Sequence, residues 1–218
     1  LDDLNEQQMR AVLPSLFTTL DAMRSIDLSS TTGFGSVEAG GNAVFDSWHE
    51  SLLNCAIDRP GRVGNWRQAM ADSATGTASF DEALAVLRNL SPGIPEVRSF
   101  VHSDLLNFNV LANPTAHRIS GVLDWGCALY GDFLYDVAWF IYWKPEYPAW
   151  QAIDFAAEAR RHYDAIGLDV PNFSERLRCC LIHIGLGDQI YNAFKGRWER
   201  LAHGAARTRE VMTASFYA

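Results

Sequence analysis

The chain has 218 residues, 48% of them hydrophobic and 12% aromatic with seven Trp, enough apolar material to pack one large domain or one and a half ordinary ones, which excludes a disordered chain. Against 18 basic residues stand 26 acidic ones, a formal net charge of −8; nucleic acid is a poor fit as a partner because a phosphate backbone needs a basic face, a cationic small molecule suits an acidic surface better, and ordinary solubility charge accounts for the balance equally well. The apolar run over residues 137–143 is far short of the roughly 20 residues of a membrane helix, so no membrane partner and a cytoplasmic setting are expected.

Asn5 followed by Gln8 forms a variant capping box, and Met9, Leu13, Leu16, Leu20 and Met23 recur at helical spacing. The pattern predicts an amphipathic helix over 6–24. A Ser/Thr/Gly loop over 29–41 follows. Its Gly33-Phe34-Gly35 fails the G-x-G-x-x-G pattern because position 38 is Glu, so it reads as a linker on the substrate side and not as a phosphate cradle. Helical periodicity returns over 44–58, 64–72 and 79–90, where Ser91-Pro92-Gly93 ends it.

The period then changes. Residues 97–101 alternate as a short strand, 109–112 form a second, Asn113-Pro114 a turn, and 118–123 a third strand. Helices are predicted over about 133–143, 149–166, 173–194 and 197–215, with Asp132 as an N-cap and Pro145, Pro148, Pro171 and Gly196 as punctuation. The fold class is α+β and mostly α-helical, a single domain in three parts: 1–96, 97–126 and 127–218. The four cysteines, Cys55, Cys127, Cys179 and Cys180, show no CxxC spacing and read as buried free thiols in a reducing compartment.

The strands carry the chemistry. Asp104 and Asn109 bracket a loop between two of them, and Asp124 ends the third. A hairpin there brings these oxygen-bearing side chains together, and such hard oxygens suit Mg²⁺, which binds a few protein oxygens together with phosphate and water. Phosphoryl transfer needs a metal on the phosphates and a carboxylate that orients the attacking hydroxyl. The spacing His102-Ser103-Asp104, Asn109 and then Asp124-Trp125-Gly126 resembles the H-R-D-x-x-x-x-N and D-F-G motifs of protein kinases. Ser103 replaces the arginine, and only 20 residues separate Asp124 from Lys144, too few for a long activation segment. A small-molecule kinase fits better than a protein kinase.

His102-x-Asp104-x₄-Asn109, Gly121-Val122-Leu123-Asp124-Trp125-Gly126 and Gly131-Asp132-x-x-Tyr135-Asp136-Val137-Ala138 together resemble the aminoglycoside phosphotransferase family. Thr32-Gly33-Phe34-Gly35, Pro95-Glu96-Val97-Arg98, Trp143-x-Pro145 and Ile184-Gly185-Leu186 with Asp188-Gln189 extend the resemblance to its hygromycin B branch. The resemblance implies the C-terminal lobe of a protein-kinase-like fold, with 1–96 following the hinge, 97–126 holding the catalytic loop and hairpin, and 127–218 on the substrate side. It implies ATP and Mg²⁺ as cofactors, Asp104 as the catalytic base, His102 as a brace of the loop, Asn109 and Asp124 as metal ligands, and Leu111 as the floor under the adenine. Asp132 and Asp136 read as structural.

Such kinases also carry a strand lysine in an N-terminal β lobe that grips the phosphates. The two lysines here, Lys144 and Lys195, both follow the loop, and residue 1 is Leu. The N-terminal lobe is therefore expected to be absent from this chain, and these residues alone to have little kinase activity.

Between His102 and Glu158 seven acids face only Arg118 and Lys144. Glu146, Asp154 and Glu158 are candidates for holding a cationic substrate, with Trp143 lining the cleft; a solvated helix face accounts for the same acids equally well. The same motifs serve kinases of amino alcohols and sugars. A metal-dependent phosphohydrolase and a non-catalytic binding module are the readings from other classes.

Overall fold

The computed structural model describes residues 1–59, 63–106 and 108–216; Asn107, inside the loop singled out above, lies outside the described residues. These residues form two compact units, one of residues 1–48 and 96–171, the other of residues 49–95 and 172–216.

The first unit is built on α1 (Glu6–Arg24), whose bounds match the predicted helix. The capping box closes in both directions: the Asn5 side chain accepts the Gln8 amide at 2.9 Å, and the Gln8 side chain accepts the Asn5 amide at 3.0 Å. Met9, Val12, Leu13, Leu16, Phe17, Leu20 and Met23 are buried along one face, each such side chain contributing about 1.5–3 kcal/mol on leaving water.

The strands are β1 (Gly35–Ser36), β2 (Ser99–Val101), β3 (Val110–Asn113), β4 (Arg118–Val122) and β5 (Leu129–Gly131). β5 lies between β1 and β2 in one antiparallel sheet, while β3 and β4 form a separate antiparallel hairpin with an irregularity at Leu111 and Ala112. The loop over 102–109 therefore runs from one sheet to the other, and the first predicted strand does not join the hairpin. α1 packs on β4 and β2, and Ser15 Oγ accepts the Ile119 amide at 2.9 Å.

The helix expected over 44–58 is cut to α2 (Trp48–Leu53) and a 3₁₀ turn, Asn54–Ala56. Phe45 exchanges backbone hydrogen bonds with Phe34 at 2.9 and 3.2 Å, which holds the start of that segment extended. Gly33 makes this return possible: its φ is +80°, and a Cβ there would lie 2.1 Å from the Ala43 carbonyl oxygen. After α5 (Leu134–Trp143), Pro148 opens a 3₁₀ turn, Pro148–Trp150, and the next helix, expected from 149, starts only where Asp154 caps it.

In the second unit α3 (Trp66–Asp72) and α4 (Ala78–Leu90) pack on α7 (Phe173–Phe194), which also packs on α8 (Trp198–Thr213). Completing the first unit is α6 (Phe155–Ala165). Gly185 lets α8 approach closely, for a Cβ there would sit 2.5 Å from Thr208 Oγ1. Among the described residues no helix is long and apolar enough to cross a membrane. Cys179 and Cys180 are buried as expected, but Cys127 is exposed, and all four thiols are free. Burial pushes the Cys55 thiol up to about 12.

Gly131 ends β5 against the buried Trp48 ring, and a Cβ on it would come within 2.5–2.8 Å of three ring atoms. Trp48 itself meets Tyr135 edge-on at 6.0 Å and has little room to retreat. Gly131→Ala is expected to cost about 1–3 kcal/mol through overpacking, read as a lower urea midpoint; an unchanged midpoint would show that Trp48 yields.

Candidate active site

The loop after β2 is held from below by α5. Asp136 is buried and accepts the His102 amide on Oδ2 at 3.0 Å and the Ser103 amide on Oδ1 at 2.8 Å. Burial raises its carboxyl above the ordinary range, while the two amides and His102 oppose the rise. Ser103 turns left-handed at φ +60°, and its hydroxyl donates to the Cys127 carbonyl at 2.6 Å.

His102 is fully buried and joins two segments. Its Nδ1 accepts the Asp104 amide at 3.2 Å, so Nε2 carries the proton given to the Leu123 carbonyl at 2.8 Å. Trp125 covers the imidazole edge-on at 4.7 Å and stacks on Phe100 at 5.3 Å. The Leu123 amide donates to the Asn109 carbonyl at 2.8 Å. A single residue, through its N–H and its carbonyl, thus ties both ends of the loop to the end of β4, one position before Asp124.

Asn109 donates through Nδ2 to the Asp104 carbonyl at 2.8 Å, and no described group donates to its Oδ1. Asp124 sits in the left-handed region at φ +55°, exposed, and accepts only the Gly126 amide, at 3.4 Å. Asp104 is half-buried. That burial raises its carboxyl, His102 opposes the rise, and the Asp124 charge adds to it. Among the described residues no cation pairs with Asp104 or Asp124.

The donor set is therefore two carboxylates and one amide oxygen, without a described group of three or more His, Cys, Asp or Glu. Such a sparse set of hard oxygens fits Mg²⁺, which takes one or two carboxylates and completes its shell with phosphate and water oxygens.

The other sequence candidates fall in different places. Leu111 is exposed on β3 opposite Gly121, whose missing side chain leaves it uncovered. Trp143 ends α5 and packs on Trp139 and Tyr142. Asp154 accepts the Ala157 amide at 3.0 Å as the cap of α6, and Glu158 pairs with Arg161 one turn on. Glu146 lies beside Tyr147, whose hydroxyl is pushed up to about 12 by burial and by the charges of Asp2, Glu146 and Asp104. Asp2, Asp3, Glu6 and Tyr147 line a cleft of about 420 Å³. Asp132 is not the N-cap of α5, which is Phe133; it stands one residue earlier and accepts the Leu134 amide at 3.0 Å.

Sequence reasoning missed two features. One is Asp2, whose Oδ2 accepts the Phe108 amide at 3.0 Å. The other is Phe108 itself, left-handed at φ +68°, a conformation that costs a bulky residue about 1–3 kcal/mol. An aromatic residue flanked by two asparagines, at positions 107 and 109, is the signal that could have found it.

A family model described as the phosphotransferase enzyme family matches residues 2–168. The hygromycin-B 4-O-kinase of Escherichia coli is 36% identical over 193 residues, which cover 88% of this chain and 52% of that protein. The chain thus spans about half the length of that curated relative. The crystal structure of the aminoglycoside phosphotransferase APH(4)-Ia aligns with a TM-score of 0.78 and 30% identity over 97% of this chain and 67% of that one. A thermostable mutant of it, in a ternary complex with AMP-PNP and hygromycin B, aligns at 0.79 and 32%, with the same coverage. A macrolide 2'-phosphotransferase type I, at 17% identity, TM-score 0.57 and 94% and 60% coverage, shares the fold. The mixed, helix-rich architecture is that of the kinase-like aminoglycoside phosphotransferases.

Two stability predictions follow from the loop's anchors. Asp136→Asn leaves one acceptor oxygen for two buried amides, and is expected to lose about 1–3 kcal/mol, measured by urea unfolding at pH 7; no loss would mean that the amides have other partners. The folded-state carboxyl of Asp104 is raised, so the folded state binds its proton more tightly than the unfolded one, and ionisation opposes folding at neutral pH. Asp104→Asn should therefore raise the thermal midpoint at pH 7.5, and the gain should shrink as pH falls through the raised value toward 3.8. A gain equal at pH 7.5 and pH 4.5 would contradict this.

Proposed function

The chain belongs to the phosphotransferase enzyme family, and from that premise we propose that it is the catalytic-loop lobe of a small-molecule kinase. The reaction is transfer of the γ-phosphate of ATP to a hydroxyl of a cationic, aminoglycoside-like acceptor. The observation that carries this reading is the tie at Leu123, which draws Asp104, Asn109 and Asp124 to one place with no cation among the described residues to neutralise them. The 36% identity to a hygromycin B kinase supports the acceptor class. ATP as donor places the reaction in the cytoplasm.

In this mechanism Asp104 accepts a hydrogen bond from the acceptor hydroxyl, orients it in line with the γ-phosphate and takes its proton as the O–P bond forms. His102 keeps the Asp104 backbone fixed through Nδ1. Asn109 and Asp124 would hold Mg²⁺, which would neutralise charge on the transferring phosphates. Leu111 would lie under the adenine. Of the candidates for the acceptor, Glu146 is best placed, because its charge reaches Tyr147 together with that of Asp104. Trp143 adds an aromatic wall, while Asp154 and Glu158 act first as helix cap and ion-pair partner.

No lysine precedes residue 144. The lysine that grips the phosphates then comes from outside these residues, and the 218 residues alone are expected to transfer little phosphate.

The test is a substrate panel with the full-length protein: hygromycin B, other aminoglycosides, choline-like amino alcohols and simple sugars. Transfer to an aminoglycoside supports the reading; transfer to amino alcohols or sugars alone replaces the acceptor class, and no transfer to anything rejects the kinase. In the same protein Asp104→Ala should lower turnover by at least ~10²-fold while Mg-ATP still binds. Asp124→Ala should instead weaken Mg-ATP binding, and normal binding by that variant would remove Asp124 from the metal site.

A further inference from the structure

We propose that Phe108 is a specificity-determining contact for the acceptor, its ring giving an amino sugar an aromatic face beside Asp104. The inference rests on the acceptor class proposed above and adds a residue to it.

Six described residues other than glycine have positive φ: Asn65, Ser103, Phe108, His117, Asp124 and Asn172. Five carry short or polar side chains of the kind that tolerate the left-handed region. Phe108 is the exception, and more than half of it is open to solvent. It is 59% exposed and has no aromatic or cationic partner among the described residues. A strained backbone under an exposed aromatic ring is unfavourable twice over for stability, which is the pattern of a residue kept for a ligand.

The conformation is held from outside the loop. Asp2 Oδ2 takes the Phe108 amide at 3.0 Å, while Asn109, the next residue, is fixed by its own bond to the Asp104 carbonyl. Phe108 is thus pinned between the base and the metal-ligating Asn109.

Asp2, which holds the Phe108 amide, lines the cleft of about 420 Å³ together with Tyr147, and Tyr147 feels the charges of Asp2, Glu146 and Asp104 together. Aromatic faces beside carboxylates suit one ligand chemistry: ammonium groups that pair with the acids, and ring C–H groups and cations that pack on π faces. Leu111, exposed on β3, is the apolar surface that the proposed function assigns to the nucleotide.

The test compares Phe108→Asn and Phe108→Tyr with wild type in the full-length protein. Asn accepts the left-handed backbone, so Phe108→Asn should raise the thermal midpoint while weakening hygromycin B binding, by calorimetry without nucleotide, about five- to tenfold. KM for the acceptor should rise with it and KM for ATP should not. Phe108→Tyr keeps the aromatic face and should bind hygromycin B as wild type does. Unchanged binding by Phe108→Asn overturns the inference and leaves the kinase reading standing, and a lowered midpoint overturns it by showing that the ring packs. A wild-type protein that binds and phosphorylates no aminoglycoside overturns the acceptor class, and the inference with it.

Discussion

Two hydrogen bonds from one buried carboxylate hold the site. Asp136 rises from the first turn of α5 and grips consecutive amides, His102 and Ser103, where the chain leaves β2. A carboxylate accepting two backbone amides has both oxygens committed, so it has no freedom to shift, and neither does the backbone it grips. Everything catalytic hangs from that grip. His102 can bridge Asp104 and Leu123 only if its own amide is fixed. Leu123 can present Asp124 only if His102 and Asn109 hold its peptide.

This arrangement gathers negative charge and does not discharge it. Asp104 and Asp124 act on each other, Asp2 and Glu146 add to the field at Tyr147, and no described cation pairs with Asp104 or Asp124. For folding alone this is a poor choice, since burial and repulsion both oppose ionisation of Asp104. On the proposed reading it is a sound choice, because a divalent metal and a cationic acceptor would bring positive charge when they arrive. The left-handed turns at Ser103, Phe108 and Asp124 belong to the same account: three departures from easy backbone geometry at the candidate site.

Long periodic segments were legible in the sequence. α1, α4 and α7 follow their apolar spacing closely, and the Asn5–Gln8 capping box could be read as letters before it was seen as bonds. Short strands were not. β1 has two residues and β5 three, too few to show a period of two, and the pairing of β2 with β5 in place of the hairpin is a long-range choice that no local pattern records. Position 45 read as helical because the extended pairing with Phe34 depends on a glycine conformation twelve residues earlier. At the site, the spacing of His102, Asp104, Asn109 and Asp124 carried the motif, while the peptide that joins them did not show. Leu123 acts through its backbone, and any side chain could stand there for that purpose. Asp136 read as structural without its partners being known.

That division between side-chain letters and backbone bonds bears on how the site can vary. The residues that hold and move charge at the phosphate are constrained by chemistry, and their types are those expected of any kinase-like transfer. The positions between them are constrained only by the backbone they must adopt. Ser103 and Asp124 meet their left-handed turns with side chains that also bond locally, to the Cys127 carbonyl and the Gly126 amide. Phe108 meets the same demand with a side chain that makes no such bond and stays in solvent, while Asp2 keeps its amide in place. At the candidate site, then, the side chains of Ser103 and Asp124 help to hold their own turns, and the Phe108 ring does not: its turn is held through its amide, by Asp2. A position whose side chain takes no part in holding its backbone is where, on the proposed reading, a change of residue can alter the acceptor without disturbing the machinery that moves the phosphate.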